Sequence, residues 1–202
     1  MGQNTYSKAI ANAISAFLRE DDWHFEFDEE KGVFKFGLSL KTRLKKVNYN
    51  IRVKEDDFSV YAVSPINADE DDSDMMRKMA EFVCRANYGL KNGNFEFDFR
   101  DGEVRYKSHV DCEDMLPGEE TIRNSISIPH GMFKRYSPGI VDIVFGDTSA
   151  EDAVERCEKP QSEVRQSLLS DSAQSGQKTT GTTEDTDELL RRLSELLGSS
   201  GD

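Results

Sequence analysis
The chain has 202 residues, 36 % apolar and 32 % charged, with a net charge of −13. That length suits one domain plus additional sequence. An acidic balance of this size repels phosphate backbones and anionic lipid, which argues against nucleic-acid and membrane binding; it would favour a basic protein partner, but solubility alone is the commoner reason for such a charge.

Residues 5–19 have the period of an amphipathic helix, with Tyr6, Ile10, Ala13, Ile14, Phe17 and Leu18 on one face and Asn4 as the expected cap. The period then changes to two. Trp23, Phe25 and Phe27 alternate with polar residues, a polar turn follows at 29–32, and Phe34, Phe36, Leu38 and Leu40 alternate again, which predicts a hairpin. Val47, Tyr49, Ile51 and Val53, then Phe58, Val60 and Ala62, predict a second. The acidic run 69–74 leads into a helix with the stripe Met75, Met76, Met79, Phe82, Val83 and Ala86, closed near Gly89. A strand through Phe95, Phe97 and Phe99 turns at Asp101-Gly102 and returns through Val104, Tyr106 and Val110. From Glu119 a helical period runs to Val144, with Pro129 and Pro138 predicting a kink or two abutting helices. A short helix is expected over 149–157, with Ala153 and Val154 inward. The fold class expected is therefore α+β, an antiparallel sheet of about six strands against helices in the order α-β4-α-β2-α.

All twelve Phe precede Gly146, so a folded domain is expected over residues 1–158. Residues 159–185 are Ser, Thr, Gln, Gly and charge, a composition expected to form a disordered linker. Residues 186–198 form a short amphipathic helix by pattern, and 199–202 are again polar. Leu189, Leu190, Leu193, Leu196 and Leu197 fall on one face of that helix, too short to be stable alone in water. Those five leucines are the expected partner-binding residues, as a helix-in-groove element acting on a partner or on this chain's own domain.

No catalytic motif appears. His24, His109 and His130 are the only histidines, and no spacing joins them to a nucleophile or carboxylate. The run 69–74 fails the EF-hand pattern, since its central position falls on Asp74 and its terminal one on Ala80. Gly93 precedes a strand and makes no phosphate loop. Cys84, Cys112 and Cys157 are too widely spaced for a disulfide framework or a zinc site. No catalytic, cofactor or metal residue is therefore assigned, and no cofactor is expected. Lys41, Arg43, Lys45 and Lys46 form the one dense basic patch, read as a solvated loop ahead of a contact for an acidic partner. The Met stripe is read as core ahead of an adaptable binding surface. The N-terminus has no signal-peptide pattern and no apolar run has membrane-spanning length, so the expected location is the cytoplasm.

Two stretches carry a resemblance. Residues 86–107 read ANYGLKNGNFEFDFRDGEVRYK, an Asn closing a helix, a Gly, an alternating Phe strand, an Asp-Gly turn and a returning strand. Residues 135–155 read RYSPGIVDIVFGDTSAEDAVE, a Tyr-x-Pro helix ending in Gly-Asp before a short helix. In that order they resemble the YbjN family of bacterial sensory-transduction regulators, over roughly residues 5–157. The family's fold is similar to that of type III secretion chaperones. The resemblance implies protein binding without catalysis, a regulatory role, and a homodimer as in many such chaperones. The function expected is a non-enzymatic interaction or regulatory module. The alternatives are a secretion-type chaperone holding an extended substrate segment and an enzyme with an unrecognised site. The tail and the two helix prolines depart from the family's pattern.

Overall fold
The computed structural model describes residues 6–159. Its elements are α1 (Lys8–Glu20), β1 (Glu26–Asp28), β2 (Val33–Ser39), β3 (Lys46–Val53), β4 (Asp57–Val63), α2 (Ser73–Asn87), β5 (Asn94–Phe97), β6 (Val104–Asp111), α3 (Glu119–Phe145) and α4 (Ala150–Glu158). The strands form one antiparallel sheet in the order β1-β2-β3-β4-β6-β5, as the α+β reading expects. The tail linker, the 186–198 helix and its five leucines lie outside the described residues.

Alternation divides the sheet into two unlike faces. Registered partners share a face, so Phe34, Ile51 and Val60 stand in one row and Tyr49, Ala62, Tyr106 and Phe95 in another, all buried. The helices cover this face. From α3, Phe133 and Tyr136 meet Phe95 edge-on, with ring centroids 5.5 and 5.6 Å away. Met76, Met79 and Phe82 of α2 and Ala153 and Val154 of α4 are buried in the same core, so the Met stripe is core. The opposite face carries Lys35, Asn50, Tyr61, Lys107 and their neighbours.

Several boundaries move for local reasons. α1 begins at Lys8 and its cap is Ser7, not Asn4; the Ser7 hydroxyl accepts from the Ile10 N–H at 3.3 Å. Tyr6 leaves the helix, sets its ring against Phe27 at 6.1 Å and donates to the Glu29 carbonyl at 2.8 Å. The first strand shrinks to Glu26–Asp28, leaving Trp23 and Phe25 outside it. β5 stops at Phe97 because Asp98 turns the chain, its carboxylate accepting from the Arg100 N–H at 2.9 Å. Phe99 is left 65 % exposed. α3 is one helix of 27 residues through both prolines, where two abutting helices were one expectation. Each proline forfeits one backbone hydrogen bond, and burial of Ile126, Phe133, Tyr136 and Ile140 on one stripe outweighs that loss.

Candidate functional site
β2 outruns its cover. Along it, Phe34 is fully buried, while Phe36 and Leu38 are only partly so. The β1 ladder ends at Lys35, so β1 does not pair the outer edge of residues 36–39. Over this end of the sheet lies a groove of about 450 Å³ between the end of α1, the Trp23 loop and the first half of α3. Phe17, Trp23, Leu38 and Ile126 make its apolar lining. Asn124, Ser127, Ser39, Arg123 and His130 supply the polar part.

Aromatic contacts fix the floor. Trp23 stands edge-on to Phe36 at 5.3 Å and tilted against Phe17 at 6.4 Å. Phe36 stacks on Tyr49 at 5.0 Å, and the Tyr49 hydroxyl donates to the Ile126 carbonyl at 3.0 Å, tying α3 over the groove. The guanidinium of Arg123 lies 4.9 Å above the Phe17 ring. It donates to Glu119 at 2.7 Å and to Asp21 at 2.9 Å, which joins α3 to the end of α1. Those two carboxylates, Glu119 foremost, raise its pKa, so the charge at this rim is fixed. His130 Nε2 sits 3.1 Å from the Ser39 carbonyl and closes the far end. Fixed aromatics and aliphatic side chains beside polar groups suit a mainly apolar ligand surface such as a side-chain row of another polypeptide.

The remaining candidates fall elsewhere. His24 is exposed. His109 meets Ser59 and Asp57, a proximity that no sequence spacing indicated. Its Nδ1 lies 3.1 Å from the Ser59 hydroxyl and 3.8 Å from Asp57. A nucleophilic triad needs hydroxyl and carboxylate on opposite ring nitrogens, and here both face Nδ1. Asp72 of the acidic run is a helix cap, its carboxylate accepting from the Asp74 and Met75 N–H groups at 3.0 Å each. Lys41, Arg43, Lys45 and Lys46 are exposed and make no ion pair among the described residues, as a solvated loop does. Among the described residues no cluster of ligating side chains could hold a metal, and no helix is long and apolar enough to cross a membrane.

Sequence reading places Phe17, Trp23, Leu38 and Ile126 on separate elements and cannot join them. No sequence signal marks the groove, because the alternation of Trp23, Phe25 and Phe27 reads as a strand long enough to pair β2 as far as Leu38, and only the structure shortens β1 to Glu26–Asp28.

No family model matches the chain, and no curated protein matches it. Among solved structures, the chain is similar to one described as the ExsC–ExsE complex. The identity is 14 %, the alignment covers 62 % of this chain and 91 % of that one, and the TM-score is 0.40.

Proposed function
We propose that this chain is a non-enzymatic interaction module that takes an apolar segment of another protein into the groove lined by Phe17, Trp23, Leu38 and Ile126. The observation that carries the reading is the groove itself, an open apolar surface at the uncovered end of β2. The YbjN-like motifs of residues 86–107 and 135–155 point the same way and add a regulatory role, and Leu189, Leu190, Leu193, Leu196 and Leu197 would give the chain a second docking element toward a partner.

Trp23 is the only tryptophan, so its fluorescence reports groove occupancy in the full chain. Peptides selected from a random display library against this protein should carry two or more large apolar residues, shift Trp23 emission, and lose at least about tenfold affinity for Leu38→Glu. Selected peptides that bind Leu38→Glu equally well and leave Trp23 unchanged would refute the reading.

A second reading, capture of an extended segment as a secretion-type chaperone does, is favoured by the edge of residues 36–39 that β1 leaves without a partner. Isotope-edited NMR of a bound peptide separates the two, since strand addition gives cross-strand contacts to β2 and a docked helix gives none. The homodimer implied by the family resemblance is a further proposal, and a monomer mass by light scattering at micromolar concentration would remove it.

A further inference from the structure
The face of the sheet turned away from the helices holds a strip of cations around one aromatic ring. Cross-strand register puts Lys35, Asn50, Tyr61 and Lys107 in a single row over β2, β3, β4 and β6. At about 4.8 Å between strands, that row is about 14 Å long. Arg52 and Arg105 flank it, and the charged groups of Arg52, Arg105 and Lys107 lie 5.3, 4.8 and 6.0 Å from the Tyr61 centroid.

A polar outer face is ordinary for an antiparallel sheet. What sets this one apart is its sign. The chain has 39 acidic against 26 basic residues. Even so, Arg52 is exposed and has no carboxylate partner among the described residues. Lys35 is exposed as well and makes no ion pair among the described residues, although Glu26 faces it in the register. The side chains of Asn50 and Tyr61 make no hydrogen bond among the described residues, which leaves further donors along the row. Arg105 is already held by Glu96 at 2.7 Å and Glu103 at 3.5 Å, and Lys107 by Glu96 at 3.8 Å. The cation–π contacts hold the Arg52 and Arg105 guanidiniums beside the ring, so less side-chain freedom is lost when an oxyanion arrives.

We propose that this strip is a second contact surface, which takes a short acidic segment of a partner protein across Tyr61, with Arg52 and Lys35 as its principal anchors. Charge complementarity selects the ligand and the frame limits its length. Glu26 bounds the row at β1, Asn94 ends it at β5 with Glu96 beside it opposite Arg105, and Asp57 with Asp111 stand at one end of β4 and β6. A long polyanion such as nucleic acid would run into those carboxylates and into a chain of net charge −13. Two or three carboxylates on an extended peptide, about 7 Å apart at alternate residues, fit inside.

The test uses the full chain and a fluorescein-labelled decapeptide of alternating Glu and Ser. Anisotropy in low salt should show saturable binding that weakens several-fold when salt rises from about 50 to 200 mM. Arg52→Gln with Lys35→Gln should weaken it at least about tenfold, and Leu38→Glu in the groove should leave it unchanged. Both anchors are exposed, and an unaltered circular dichroism spectrum confirms the fold. Equal binding by the double variant overturns the proposal, as does equal or tighter binding of a thymidine decanucleotide. A peptide that binds only after Glu184, Asp185, Asp187 and Glu188 become amides would assign the strip to this chain's own acidic stretch and overturn the partner reading.

Discussion
Tyr49 joins the sheet to α3 through a buried hydroxyl, and its phenol is held well above the usual range by burial. Burial also raises the Cys157 thiol to about 11. The Tyr136 phenol rises to about 12, mainly by burial and then by its hydrogen bond to Glu158. In each case the folded chain keeps a proton that the unfolded chain releases near the ordinary values of 9.0 for cysteine and 10.0 for tyrosine. The folded state therefore binds more protons above about pH 9, and stability falls as pH rises from the ordinary values toward the folded-state ones. Below that pH the contribution is fully present. Tyr49→Phe keeps the ring and removes the ionisation. It should cost about 1 kcal/mol at neutral pH through the lost hydrogen bond. It should also flatten the alkaline decline, read as the drop in urea midpoint between about pH 7.5 and 10.5. An identical drop in both proteins would show that Tyr49 contributes nothing to the decline.

At the scale of elements, the β5 edge of the sheet is closed by a side chain. The Asn87 amide, at the end of α2, accepts from the Phe95 N–H at 2.7 Å and donates to the Phe95 carbonyl at 2.9 Å, two bonds that imitate a neighbouring strand. Asn87→Ala leaves that N–H without a partner, while Asn94 still reaches the carbonyl at 3.1 Å. A loss of about 1–3 kcal/mol is expected, with new self-association by light scattering as the edge opens. Asn87→Asp keeps the acceptor and should be the milder change. Where α2, α3 and α4 converge, Gly139 has no room for a side chain: a Cβ there would stand 2.7 Å from Phe82 Cζ and 3.0 Å from Cys157 Sγ. Gly139→Ala should cost about 1–3 kcal/mol by overpacking, a fall of about 2–4 °C per kcal/mol in Tm. A variant that melts with the parent would mean that the Phe82 ring yields freely.

For the whole molecule, the buried side chains between Tyr6 and Val154 form one cluster. Cutting the chain after Glu158 should therefore leave Tm within about 6 °C of the full chain, equivalent to roughly 2 kcal/mol for a domain of this size. A larger fall would place part of the stabilising surface in residues 159–202. The two proposed contact surfaces differ in chemistry, the groove apolar and the strip cationic. Raised salt should accordingly weaken the acidic peptide and spare the apolar one.

Periodicity in the sequence was enough for the order of elements, the three hairpins and the inward face of each strand, because those depend on spacing within a few residues. The turn at Gly102 and the cap at Gly89 were equally local, since positive φ of +69° and +85° calls for glycine. The continuity of α3 through Pro129 and Pro138 was decided by tertiary burial, which local propensity cannot weigh. The groove exists because β2 is longer than β1 and α3 crosses above Tyr49, and the cationic strip because Lys35, Asn50, Tyr61 and Lys107 come into register from four strands with Arg52 and Arg105 beside them. Both surfaces are sums of residues far apart in the chain, and helix packing for the groove and strand pairing for the strip, not spacing, bring them together.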